Sequence, residues 1–142
     1  MERRRDEYLI STDRERLDLA VVHKFLSEES YWSPGVSRAR VERQVQNSIC
    51  FGLYRDGEQA GFARAVTDRA AFAWIADVFV LPEHRGRGLG VWLVETVLSH
   101  PDVGGLRLML GTADAQTLYE RFGFRAVDPA RIMERPRPNA SH

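Results

Sequence analysis

Runs with a two-residue apolar repeat and runs with a three-to-four-residue repeat succeed one another along the chain, and their order predicts a mixed α/β fold. Tyr8-Leu9-Ile10 reads as a short first strand. Thr12-Asp13-Arg14-Glu15 has the form of a capping box and opens an amphipathic helix through Leu17, Val21 and Phe25, which the segment from Ser30 to Gly35 breaks. Ser37 offers the N-cap of a second helix, with Val41 and Val45 on one face and an end near Asn47. The strand-like runs Ile49 to Arg55 and Gln59 to Thr67 flank Asp56-Gly57, a hairpin signal, and are expected to pair antiparallel. A third run, Phe72 to Val80, is rich in aromatic and β-branched residues and stops before Pro82.

Glycines 86, 88 and 90 then lead into a helix over Leu89 to Ser99, ended by His100-Pro101, and Leu106 to Leu110 is a further strand. Asp114 is expected to cap a last helix carrying Leu118, Tyr119 and Phe122, closed by Gly123 in the left-handed conformation. Phe124 to Val127 and Arg131 to Met133 read as terminal strands, and Pro136 begins a loose tail. The expectation is one domain over residues 1–135 with a flexible tail at 136–142, and no internal repeat.

Composition narrows the function classes. The 142 residues are 44% apolar and 28% charged, ordinary for one packed domain and too apolar for a disordered chain. Basic and acidic residues balance at 20 each, so no overall field draws the chain to nucleic acid or an anionic membrane. The run Arg3-Arg4-Arg5 is followed by Asp6 and Glu7 and reads as a solvated face. Cys50 is the one cysteine, which excludes an intrachain disulfide and a multi-thiolate zinc site, and within Ile49-Cys50-Phe51 it reads as a buried hydrophobe. His23, His84, His100 and His142 have no metal-ligand spacing, so no metal is expected. With no signal-peptide pattern and no apolar run near 18 residues, a cytoplasmic location without a membrane partner is expected.

The candidate chemistry lies in Arg85-Gly86-Arg87-Gly88-Leu89-Gly90. A glycine-rich turn between strand and helix exposes backbone N–H groups, the helix N-terminus adds partial positive charge, and two guanidinium groups can reinforce a phosphate contact. A Walker loop would need Lys and Ser or Thr after the last glycine, where Val91-Trp92 stand. A dinucleotide fingerprint would place its third glycine one residue later and an acid at the end of the next strand. Both readings fail.

The segment from Val80 to Gly90 resembles the pyrophosphate loop of the GNAT superfamily of N-acetyltransferases, Gln/Arg-x-x-Gly-x-Gly/Ala. A second block, Asp114 to Phe124, is similar to the later helix of that family, with its tyrosine and closing Gly-Phe. The resemblance implies a mixed, mostly antiparallel sheet of six to seven strands with about four helices. It also implies a parallel pair, Phe72 to Val80 and Leu106 to Leu110, that splays to admit acetyl-CoA. It gives the pyrophosphate to the amides of Arg85, Gly86, Arg87, Gly88, Leu89 and Gly90, and the thioester carbonyl to a backbone N–H at Val78, Phe79 or Val80. Where many relatives carry Asn, this chain has Asp114, which can accept but not donate a hydrogen bond to the cofactor.

Acetyl transfer to an amine needs a neutral nitrogen, a polarised carbonyl and a proton for the departing thiolate. The resemblance gives the last task to Tyr119, although Leu118 and Phe122 flank it as they would a core tyrosine. Asp77, the one acid in its apolar strand, is either a structural hydrogen-bond partner or a group that binds or deprotonates the ammonium, with Glu28 and Glu29 as further candidates. Tyr31 and Trp32, in the loop between the first two helices, are expected to line the acceptor site. On a helical wheel Trp92 falls in a polar arc with Glu95, Thr96, Ser99 and His100, which suggests a homodimer contact. Two functions fit: N-acetyl transfer from acetyl-CoA to a primary amine by direct attack in a ternary complex, and a non-catalytic acyl-CoA-binding sensor.

Overall fold

A computed structural model describes residues 1–138; positions 139–142 of the expected tail, including His142, lie outside them. Internal packing divides the chain into two compact units, the first from Met1 to Gly111 and the second from Thr112 onward.

The first unit is built on a six-stranded sheet in sequential order: β1 (Glu2–Arg5), β2 (Tyr8–Ser11), β3 (Ile49–Arg55), β4 (Glu58–Thr67), β5 (Phe72–Val80) and β6 (Arg107–Met109). All neighbours are antiparallel except β5 and β6. The Asp56-Gly57 turn takes positive φ at both residues, 51° and 80°, the twist that a two-residue hairpin requires. β1 is a correction to the sequence reading. All four of its side chains are exposed, so no apolar alternation marks it, and backbone pairing to β2 alone makes it a strand.

Three helices belong to this unit: α1 (Leu19–Lys24), α2 (Arg38–Gln46) and α3 (Leu89–Ser99). Ser37 caps α2 as expected, its Oγ accepting from the Arg40 N–H at 3.1 Å. The first helix starts later than its capping box suggests. Asp13 caps only a 3₁₀ turn at Arg14–Arg16, whereas Asp18 accepts from the amides of Ala20 and Val21 and is itself held through its N–H by Gln59 Oε1 at 2.8 Å. After Lys24 the helix widens into a π-type turn, Phe25–Glu29, closed by the Ser30 N–H on the Phe25 carbonyl at 3.0 Å.

Alternation along the strands divides the core between the two faces of the sheet. Phe51, Leu53, Ala73 and Ile75 pack with Leu89, Leu93 and Val97 of α3. Cys50, Phe62 and Phe79 pack with Val22, Phe25, Val41 and Val45 from the α1–α2 side. Each valine, leucine, isoleucine and phenylalanine among them contributes roughly 1.5–3 kcal/mol by leaving water.

The second unit contains α4 (Gln116–Glu120). Its N-cap is Ala115 rather than Asp114, because the Thr112 hydroxyl takes the Ala115 N–H at 3.0 Å and the turn it makes starts the helix one residue later. Gly123 adopts φ 87° and the Phe124 N–H closes on the Tyr119 carbonyl at 3.3 Å, the expected left-handed stop. Phe124 to Val127 and Arg131 to Met133 are irregular, contrary to the sequence reading. Val127, Ile132 and Met133 are all exposed, and short apolar runs without a covered face have nothing to hold them extended.

Cys50 lies in the α1–α2 core with its thiol on the Val45 carbonyl at 3.6 Å, and burial pushes its pKa from 9.0 to about 11. The folded state favours the neutral thiol, so this residue's stabilisation is complete below pH 9 and is lost as pH rises towards 11. Native protein at neutral pH is therefore expected to resist a thiol reagent such as 5,5′-dithiobis(2-nitrobenzoate) and to react within seconds once unfolded in urea. Replacing Cys50 with Ala should flatten the loss of stability between pH 9 and 11.

Candidate active site

Beyond β5 the chain makes a 3₁₀ turn at Pro82–His84 and then a glycine loop into α3. Gly86 and Gly88 take φ of 82° and 75°, which cost other residues energy. Gly88 is the N-cap of α3; no side chain caps the helix, and its first intrahelical bond runs from the Trp92 N–H to the Gly88 carbonyl at 3.1 Å. The amides of Leu89, Gly90 and Val91 therefore precede that bond at the positive end of the helix dipole. A Cβ on Gly90 would meet no heavy atom within 4 Å, so packing does not explain a glycine that costs a helix up to about 1 kcal/mol relative to alanine. The first-turn amides are left open to an approaching anion, and the loop fits a pyrophosphate. Arg87 is about half exposed, 3.9 Å from the Glu7 carboxylate. Arg85 instead turns back, its Nε donating to the Val80 carbonyl at 2.8 Å, and fastens the loop to the end of β5.

β5 is paired with β4 along its length but with β6 only from Phe72 to Trp74. From Ile75 onward its other edge leaves β6, the splay that the resemblance implies. The Leu81 N–H donates to the Ala60 carbonyl at 2.8 Å, so alternation turns the N–H groups of Val78 and Val80 towards the splayed edge and that of Phe79 towards β4. Of the three carbonyl-binding candidates, Val78 and Val80 present the amides.

Between Phe62↔Phe79 and Arg64↔Ala76 the register slips, so Ala63 faces both Asp77 and Val78 in a β-bulge. Asp77 has φ 55°, a conformation that costs a non-glycine residue on the order of 1–3 kcal/mol. Two contacts hold it there, and a third fixes the partner of one of them. Arg64 Nε donates to Asp77 Oδ2 at 2.6 Å, Trp32 Nε1 donates to Oδ1 at 2.8 Å, and Arg64 Nη1 donates to Ser48 Oγ at 3.2 Å. The Arg64 and Asp77 side chains are 12% and 5% exposed, and a carboxylate so deep is tolerable only when paired. Each of its oxygens already accepts a hydrogen bond, which favours a binding or structural role over that of a general base.

The same contact brings Trp32 and Asp77 together, which sequence distance does not suggest. Trp32 leans on Phe25, which stacks on Phe79 at 4.0 Å, and the Tyr31 ring stands edge-on to it at 5.0 Å. Tyr31 and Trp32 remain 53% and 38% exposed, so the loop presents an aromatic ledge held from beneath. Arg64 escaped the sequence reading. The signal was present: a single charge within the apolar stretch Ala60 to Val66, the same pattern that singled out Asp77 one strand later.

In the second unit Tyr119 is buried on α4 with its ring edge-on to Phe124 at 5.7 Å, and Asp114 is exposed in the turn before the helix. Trp92 departs from its expected polar arc: it is 6% exposed within the α3 core, with the Arg5 guanidinium 5.7 Å from its ring. Thr96 is buried as well, its hydroxyl donating to the Trp92 carbonyl at 2.8 Å, which is why a polar residue there does not mark a wet face. The indole is thus no basis for a dimer contact. No helix among the described residues is long and apolar enough to cross a membrane.

Residues 46–126 match the family model described as acetyltransferase (GNAT) domain. A crystal structure from Xanthomonas campestris pv. campestris, of a protein assigned to the GNAT family, is 45% identical with a TM-score of 0.89, over 92% of this chain and 94% of that one. A Gibberella zeae protein assigned as an acetyltransferase is 33% identical over 138 residues, 81% of this chain and 77% of its own length. A Clostridium acetobutylicum acetyltransferase, solved with acetyl-CoA, shares the fold at a TM-score of 0.70 and 13% identity, over 96% of both chains. The glycine loop, the splayed parallel pair and these likenesses agree, and the chain belongs to the GNAT superfamily of acetyltransferases.

Proposed function

We propose that the chain is an N-acetyltransferase that uses acetyl-CoA and passes the acetyl group directly to a primary amine. The observation that carries this reading is the cradle of first-turn amides at Leu89 to Val91, continuous in sequence with a β5 edge that has left its neighbour. The acetyl-CoA held by the Clostridium acetobutylicum protein supports the choice of donor. Coenzyme A, when bound, supplies the acetyl group as a thioester. The amides of α3 and Arg87 hold the diphosphate, and the N–H of Val78 or Val80 bonds the thioester carbonyl oxygen. The acceptor amine lies against Tyr31 and Trp32. The amine nitrogen bonds the carbonyl carbon, Tyr119 gives its phenolic proton to sulfur as the C–S bond breaks, and the proton shed by the acetylated nitrogen passes to solvent, from which the phenol is restored. Cys50 is too buried to carry the acetyl group, which supports a reaction in which donor and acceptor are bound together.

Thiol release from acetyl-CoA in the presence of a panel of amines tests the reaction: turnover with one class of amine is expected, and cofactor binding without turnover would instead favour an acyl-CoA sensor. Initial-rate patterns should intersect; parallel lines, or acetyl label retained on the protein, would exclude direct transfer. Tyr119→Phe is expected to lower kcat by roughly 10²–10⁴ with acetyl-CoA affinity nearly intact, and near-normal turnover would remove the acid assignment.

Gly90→Ala and Gly88→Ala separate the two demands on the loop. Thermal unfolding should show the first as stable as the parent or more so, by up to about 1 kcal/mol, with coenzyme A affinity within about threefold, since the loop pattern admits alanine at this place, whereas Gly88→Ala, at φ 75°, should lower stability by roughly 1–2 kcal/mol and calorimetric affinity for coenzyme A at least tenfold. Trp32→Ala should raise the acceptor KM and leave acetyl-CoA binding unchanged; equal loss of both would mark a purely structural residue.

A further inference from the structure

Trp32 does not hold its own orientation. Its loop, from Ser30 to Gly35, contains no regular structure, and its indole N–H is directed by a carboxylate that belongs to the sheet. That carboxylate sits on a bulge residue, and Arg64 on the neighbouring strand meets it at 2.6 Å. Arg64 is fixed in turn by Ser48, whose hydroxyl accepts from Nη1 and donates to the Gln44 carbonyl at 2.7 Å, close to the end of α2. A continuous series of directional bonds therefore runs from the end of α2 through β4 and β5 to one exposed indole ring.

A guanidinium suits this place because it offers donors in a fixed plane, one to the carboxylate and one to the hydroxyl; an ammonium is a single point of charge on a flexible stem. The bond that satisfies the second oxygen of Asp77 also fixes an indole that is still 38% exposed and so open to a ligand. We propose that Arg64 is a positioning residue for the acceptor: by fixing the Asp77 carboxylate it sets the Trp32 ring in the orientation that receives the amine-bearing substrate. The inference rests on the acetyltransferase reading above and adds to it a residue that touches neither substrate nor cofactor.

Two measurements test it, one of them independent of any acceptor. The chain has three tryptophans, so its ¹H–¹⁵N spectrum has three indole signals, and Trp32→Phe assigns one of them. In Arg64→Gln the Trp32 indole proton is expected to move upfield and broaden as its hydrogen bond loosens, with the Trp74 and Trp92 signals in place. Arg64→Lys, which keeps the charge and is the safer variant for folding, should give a smaller shift in the same direction. With the best amine from the panel, Arg64→Gln should raise the acceptor KM about tenfold, a modest value for a misplaced contact, with kcat and coenzyme A affinity within about twofold. Arg64→Lys should lie between it and the parent. In a Trp32→Ala background the same substitution should have no further effect on acceptor KM.

An unmoved Trp32 signal in both variants would overturn the positioning role whatever the kinetics. A moved signal with unchanged acceptor KM, or an undiminished KM effect in the Trp32→Ala background, would overturn the link to the acceptor. Absence of turnover by the parent protein with every amine is a separate result: it rejects the acetyltransferase reading and the acceptor half of this inference with it.

Discussion

β5 has to satisfy two neighbours that ask for different things. Against β4 it stays hydrogen-bonded from Ala73 to Val80, and against β6 it pairs only through Trp74. Were it to follow β6 further, the amides of Val78 and Val80 would be consumed by a ladder and the cleft would close; were it to leave β4 as well, Phe79 would be withdrawn from the α1–α2 core. Asp77 lies where these demands separate. One extra residue on β5 bends it, returns Val78 and Val80 to the α3 face, and costs a left-handed backbone that Arg64 and Trp32 secure. Gly61 across the ladder is part of the same accommodation, since a Cβ there would stand 2.7 Å from the Phe79 carbonyl.

What was legible in the sequence follows from what burial does to a pattern. β3, β5 and α3 run between the residues that their apolar repeats mark, because each lies in a core that punishes any other register. The glycine loop was legible because phosphate-binding backbone has few chemical solutions. β1 was not: it is held by main-chain bonds, which side chains do not announce. The terminal strands erred the other way, since Ile132 and Met133 are apolar but have no covered face. The first helix lost its start to Asp18, whose cap depends on Gln59, a residue distant in sequence. At the candidate site the roles of Asp77 and Trp32 could be suspected singly, but their union across the sheet needs the bulge, and a bulge leaves no mark in a binary pattern.

The Arg-rich edge of the sheet has a bearing on the company the protein keeps. An edge strand offers its unused N–H and C=O groups to any other extended chain, most readily to its own copy. β1 is such an edge, and three of its four residues are arginines. Its one carboxylate, Glu2, already meets Arg16 at 3.3 Å and the Ser11 hydroxyl at 3.2 Å. A second copy laid antiparallel along it would set arginine beside arginine in almost every alignment, with little negative charge left to relieve them. The cations that gave β1 no signature as a strand thus also weigh against its pairing with a second copy.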